Sequence, residues 1–325
     1  MADLVKFTKQ GAIGIITVDN PPVNALSPGV PEGIIECVNQ GNADPEVKAM
    51  VFTGAGRAFI AGADIKHLGK PKTKAGLTYR PIIDDSPKPI VAAIHGFALG
   101  GGLETALSCQ YRIAAKSAKV GLPEVTIGVL PGGGGTQRLP RIVGPKKALE
   151  LITTGRHIPA PEACEMGILD RVVEDDDLQA AAIAFAQEIA DVRPLPRIRD
   201  RDEKLAEAKE DPGMFDAARK TAERRQRGQV APLQAIKCVE AAVTLPFDEG
   251  LQRERELFDE ISNLDQGKAM RYAFFAQRQA NKIPDIGKDI AARDVSSAAI
   301  IGSGTMGGGI AMVFADAGIP VKLLD

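Results

Sequence analysis

The chain has 325 residues, more than a single domain usually holds, and 40 lysines and arginines nearly balance 42 aspartates and glutamates, for a formal charge of −2. No basic stripe interleaved with aromatics is present, which argues against nucleic acid as the main partner, and no apolar run reaches membrane-spanning length. Three scattered histidines, four cysteines without CxxC spacing and an N-terminus without an apolar signal segment argue against a metal site, a disulfide frame and secretion. A reducing, cytoplasmic compartment is expected.

In chain order, strands are predicted at Ile13 to Val18, Ala49 to Thr53 and Ile90 to Ile94, with a helix from Val30 to Gln40 between the first two. That rhythm reads as right-handed ββα or βαβ units. Another turn, Gly100-Gly101-Gly102, follows the third strand and opens a helix carrying Glu104 in its first turn. Glu124 comes twenty residues later in Leu122-Pro123-Glu124, ahead of a glycine-rich loop at Gly132 to Gly135. From Lys146 the pattern turns helical, at Lys147 to Thr153, Ala160 to Met166 and Leu178 to Asp191. Residues 192 to 228, with Pro194, Pro196 and alternating charges, read as a linker with a solvated helix. Amphipathic helix returns over 231 to 282 and ends in an apolar cluster, Tyr272 to Ala276, that is expected to be buried. Finally Ala298 to Ile301 reads as a strand, Met306 to Ala317 as a helix and Val321 to Leu324 as a second strand. Between the first of these strands and the helix, Gly302-Ser303-Gly304-Thr305-Met306-Gly307 fits G-x-G-x-x-G, and Asp325 closes the unit about 20 residues on, where a ribose-binding acid belongs.

Four segments in order carry a family resemblance: Ala58 to Ile65, Ala98 to Glu104, Leu122 to Glu124 and Pro131 to Arg138, with Asn20 to Leu26 matching upstream. The chain resembles the crotonase (enoyl-CoA hydratase/isomerase) superfamily over roughly residues 1 to 190. Residues 297 to 325 resemble the start of the NAD-binding domain of 3-hydroxyacyl-CoA dehydrogenases, so the whole resembles the N-terminal half of a bifunctional fatty-acid oxidation enzyme. The resemblance implies an α/β fold: a crotonase spiral of ββα units over 1–190, a charged linker and helical extension over 191–296, and an incomplete Rossmann-type βαβ unit over 297–325. One such unit of about 30 residues is too small to bury a core of its own.

Two carboxylates converging on one pocket can hold a water between them, one polarising it while the other moves a proton. The resemblance gives Glu104 the water that adds at C3 of an enoyl thioester and Glu124 the proton exchanged at C2. It places the oxyanion hole at the N–H groups of Ala63 and Gly101, and the CoA moiety along Ala61, Asp64 and Ile65. Lys66 or His67 could approach a phosphate, and residues 68 to 85 would wall the acyl pocket. Gly302, Gly304, Gly307 and Asp325 would bind NAD in a completed dehydrogenase domain, whereas hydration itself needs no cofactor and no metal. The expected activity is reversible hydration of trans-2-enoyl-CoA, with Δ3,Δ2-enoyl-CoA isomerase activity compatible because Glu124 alone could move a proton from C2 to C4. Rival readings are another crotonase reaction on an acyl-CoA, or an NAD-dependent dehydrogenase whose first domain only binds CoA esters. The expected partners are enoyl- and 3-hydroxyacyl-CoA thioesters, without nucleic acid or membrane insertion, and a monomer is favoured over a trimer.

Overall fold

A computed structural model describes residues 4–67, 73–211, 213–280, 290–291 and 293–325, without the side chains of Lys66 and Leu77. Two compact units divide it at Phe275/Ala276. The architecture is the expected α/β spiral with a helical extension, followed by a separate βαβ unit.

In the first unit the strands are β1 (Val5–Gln10), β2 (Ile13–Val18), β3 (Ala49–Gly54), β4 (Ile90–Ile94), β5 (Phe97–Leu99), β6 (Tyr111–Ala115), β7 (Lys119–Gly121), β8 (Ile158–Pro159) and β9 (Arg171–Val173). Six of them form one sheet in the order β1-β2-β3-β4-β6-β9, parallel throughout except for the β1–β2 hairpin. Every residue of β4 is buried, as a parallel strand covered on both faces requires. A smaller sheet runs β5-β7-β8, with β5 and β7 parallel. The helices are α1 (Val30–Ala43), α2 (Lys74–Asp84), α3 (Gly101–Ala106), α4 (Gly135–Val143), α5 (Pro145–Thr154), α6 (Ala160–Glu165) and α7 (Leu178–Glu188). Several carry a proline in the first turn, among them Pro31 in α1 and Pro145 in α5, where the missing N–H would have had no helical partner anyway.

The extension adds α8 (Glu207–Glu210), α9 (Met214–Arg225), α10 (Ala231–Thr244), α11 (Phe247–Ser262) and α12 (Asp265–Ala280). Its first part, read above as a linker, is packed into the first unit: Ile198, Leu205, Met214 and Phe215 are buried there. Charge dominates that stretch, but most of its few large apolar side chains face inward, Val192 being the exposed exception. The single amphipathic stretch expected over 231–282 is three helices, broken at Pro246 and again around Asn263.

The apolar cluster at Tyr272 to Ala276 is not buried as expected. Tyr272 is 77 % exposed, and Phe275 is also exposed. Helical phase explains Tyr272: Gly267, Met270 and Arg271 form the inner face of α12 and Tyr272 falls on the other side, whereas Phe275, one turn beyond Arg271, flanks that face and is 38 % exposed. A methyl group on Gly128 would come 2.8 Å from the Gly267 Cα and 3.0 Å from the Met270 sulfur, which shows how closely that inner face lies on the core.

The second unit pairs β10 (Ala298–Ile301) with β11 (Val321–Leu324) in parallel across α13 (Thr305–Asp316). Among the described residues no helix is long and apolar enough to cross a membrane.

Candidate active site

Parallel pairing of β5 with β7 brings the two acids together. Leu99 stands opposite Gly121, and the Gly100 N–H donates to the Gly121 carbonyl at 2.8 Å. Glu104 follows the end of β5 and Glu124 the end of β7, so both lie beyond the carboxyl ends of neighbouring strands. Contact is direct: Gly100 has φ +52°, and a methyl group there would meet Glu124 Oε1 at 2.9 Å. Its neighbour Gly102 backs onto the Ile60 carbonyl, 2.0 Å from where a methyl would sit.

The same turn approaches the Ala61–Ile65 loop. A methyl on Gly101 would lie 3.6 Å from the Ala63 nitrogen and 2.8 Å from Leu26 Cδ1, so the two expected oxyanion donors are close neighbours. Gly101 is the first residue of α3, where an N–H has no intrahelical partner. Asn24 secures the loop from behind. It is buried with φ 53°, and its Nδ2 donates to the carbonyls of Ala55 (2.8 Å) and Ala58 (2.7 Å). The Leu26 and Ala61 N–H groups then bond to Gly62 and Val23.

Glu104 is 3 % exposed. Its Oε1 accepts from the Gly133 N–H at 2.7 Å and the Gly135 N–H at 2.9 Å, while Oε2 lies 3.4 Å from Arg80 Nη2. The glycine loop therefore does more than cover the pocket; it supplies the donors that orient the acid. Glu124 is the opposite case. Although the residue is half-buried, its Oε2 is shielded from solvent and finds no hydrogen-bond partner among the described residues. Burial, and next the negative charge of Glu104, push its carboxyl well above the ordinary range, with Glu254 adding to the effect and Arg80 opposing it. One acid is held by donors and the other is poised to keep a proton.

Of the expected CoA positions, Asp64 is engaged within its own loop, its Oδ2 at 2.9 Å from His67 Nδ1 and 3.2 Å from Ser27 Oγ. Ile65 opens a 3-10 turn, and Ala61 donates its N–H to Val23. The Lys66 side chain and positions 68–72 of the expected acyl wall lie outside the described residues. In the second unit Gly302 has φ +101°, and nothing lies within 4 Å of a methyl placed on Gly302 or Gly304. Gly307 packs under the Gly302 carbonyl, 1.8 Å from a hypothetical methyl, and Asp325 Oδ1 accepts from the Ser303 N–H at 3.4 Å.

Two residues that hold this site together escape a sequence reading. Arg80 comes from α2 and reaches Glu104 and the Gly101 carbonyl. Glu254, on α11, is fully buried and accepts from the Gly134 and Thr136 N–H groups. The available signal was an acid inside an apolar helical stripe, Leu251, Glu254, Leu257, Phe258 and Ile261, where a charge needs a partner.

Known proteins align along nearly the whole chain. Residues 8–211 match the enoyl-CoA hydratase/isomerase family, and residues 297–325 match the NAD binding domain of 3-hydroxyacyl-CoA dehydrogenase. A peroxisomal bifunctional enzyme of Cavia porcellus is 45 % identical over 322 residues, covering 97 % of this chain and 44 % of that protein. A glyoxysomal fatty acid beta-oxidation multifunctional protein of Brassica napus is 38 % identical over 315 residues, covering 92 % of this chain and 43 % of its own length. This chain thus spans under half the length of those relatives. Among solved structures, an enoyl-CoA hydratase subunit from Geobacillus kaustophilus is 33 % identical with a TM-score of 0.56, covering 84 % of this chain and 95 % of that one.

Proposed function

Since this chain belongs to the enoyl-CoA hydratase/isomerase family, we propose that its first unit hydrates trans-2-enoyl-CoA reversibly to 3-hydroxyacyl-CoA in fatty-acid β-oxidation. The observation that carries the reading is the contrast between the two acids beside one pair of amides. Glu104, held by Gly133, Gly135 and Arg80, orients the water and polarises it toward C3. As the C3–O bond forms, charge moves onto the thioester oxygen, where the Ala63 and Gly101 N–H groups receive it; losing one such donor typically costs ~3–4 kcal/mol. Glu124 gives its proton to C2 and Glu104 takes the one lost by water, so the pair still holds one proton and one negative charge, and a proton transfer between them or with solvent resets it. Dehydration runs the same steps backward.

Once it has released its proton, Glu124 could also take a proton from C2 and return it at C4, so the same site would isomerise 3-enoyl thioesters. Ala61, Asp64 and Ile65 would lie along the CoA moiety, and α2 would wall the acyl chain. Hydration takes no cofactor. In the second unit, the open surface over Gly302 and Gly304 would take a pyrophosphate, and Gly307 and Asp325 would contribute to an NAD site, in a completed dehydrogenase domain. Bound NAD would supply hydride acceptance to a dehydrogenase domain. The helices covering α4 and α5 come from the same chain, which favours a monomer. The four free cysteines suit a reducing compartment, taken here as cytoplasmic, although the relatives above are named peroxisomal and glyoxysomal.

The test is loss of enoyl-thioester absorbance on adding the purified chain to a short trans-2-enoyl-CoA without NAD. Steady hydration supports the reading. Its absence, with folded protein and bound thioester, would leave a binding domain only.

A further inference from the structure

Four successive N–H groups at the start of α4 are shared between two acids in strict alternation. Gly133 and Gly135 donate to Glu104 at 2.7 and 2.9 Å, whereas Gly134 and Thr136 donate to Glu254 at 2.7 and 3.1 Å. Thr136 adds its hydroxyl to Glu254. Peptide units are rigid planes joined by two soft dihedrals, so pinning every second unit largely fixes the direction of those between.

The helix that brings Glu254 is itself seated on this loop. A methyl on Gly132 would meet the Phe258 ring at 2.5 Å, and one on Gly134 would meet Leu251 at 3.1 Å, so Leu251, Glu254 and Phe258 cover the loop along one face of α11. Gly250 permits the approach, since a side chain there would strike Gln137. At the start of the same helix the Phe247 ring lies within 4.8–5.1 Å of the guanidinium groups of Arg138, Arg141 and Arg199.

We propose that Glu254 is a positioning residue for hydration, acting from the helical extension: by pinning Gly134 and Thr136 it aims the intervening amides at Glu104 and so fixes the direction in which Glu104 holds water. This rests on the role given to Glu104 above. Glu254 touches no reacting atom in this scheme. Its effect falls on the rate of the chemical step and not on thioester affinity.

The test compares wild type with Glu254→Gln, which keeps size but turns a donor toward N–H groups, and with Thr136→Val, which removes only the hydroxyl. Two quantities are read: steady-state hydration, and amide hydrogen exchange at Gly133 and Gly135 in the substrate-free protein. For Glu254→Gln the expected result is a kcat lower by about ten- to a hundredfold, with KM within about twofold, and faster exchange at both glycines. Thr136→Val should move both quantities in the same sense by less, and it decides the matter if Glu254→Gln does not fold. Unchanged kcat, unchanged exchange, or a loss carried by KM alone would overturn the proposal. Should wild type itself show no hydration, the assigned reaction fails separately, and with it the catalytic role of Glu254. The exchange rates would still show whether the acid orders the loop.

Discussion

The two units use the same local grammar, parallel strands joined through a helix, with different results. In the first, β4 is buried along its whole length, and one continuous apolar core runs from Val5 to Ile261. In the second, β10, α13 and β11 form with regular pairing, yet Ile301 is 86 % exposed and Met306 and Val313 are also largely bare. Turn glycines and strand propensity are enough to shape a βαβ unit. They are not enough to give it an interior, because two strands and one helix leave most apolar faces uncovered. A chemical site needs that interior: Glu124 acquires its raised proton affinity only from burial and neighbouring charge.

The comparison breaks first if chemistry is not confined to the first unit. Glu104→Gln and Glu124→Gln should each lower hydration by ~10²–10⁴-fold, the usual cost of losing a general acid or base, while thioester binding by calorimetry stays near wild type. Near-normal turnover in either variant would remove the two-acid mechanism. Conversely, titration of the 325-residue chain with NAD should show no tight binding, and 3-hydroxybutyryl-CoA should yield no NADH. Micromolar affinity or steady NADH would mean that the bare βαβ unit works unaided.

Stability offers a finer probe. Truncating a buried aromatic, Phe258→Ala, should cost ~3–5 kcal/mol in urea unfolding, whereas Tyr272→Ser on the outer face of α12 should stay within about 0.5 kcal/mol. A large loss at Tyr272 would show that the outer face is covered in solution.

The smallest effect concerns pH. Folding raises the Glu124 carboxyl above its ordinary value of 4.5, so the protonated form is favoured in the folded state. The stability this gives is full below the ordinary value and disappears as pH rises through the raised one. Hydration, which needs that proton, should fade over the same window. Glu124→Gln should therefore lose less stability than wild type between mildly acidic and alkaline buffer. Parallel stability–pH curves would mean the acid is not perturbed.

Much of this was legible beforehand, for identifiable reasons. The strand Ile13–Val18 is observed with the bounds its apolar pattern suggested, and Glu104 was marked by the glycines that must precede it. What could not be read were facts of the tertiary structure. Arg80 lies in a stretch with no motif, and its importance comes from where α2 lands. Glu254 sits 150 residues from Glu104 among ordinary helical charges, and only the packing of α11 makes it exceptional. The Tyr272 to Ala276 cluster misled because a run of aromatics says nothing about which way the helix is turned.

The seating of Glu254 also bears on how such chains can be recombined. Residues 8–211 include both acids and both amides proposed for the oxyanion hole, and would look like a portable cassette to anyone splicing relatives together. The α4 loop they contain is nevertheless shaped against Leu251, Glu254 and Phe258 from outside that segment. On the roles proposed for Glu104 and Glu254, a chimera that joins this spiral to another protein's extension would inherit both acids and still misalign Glu104, unless the incoming helix brought an acid at the same place.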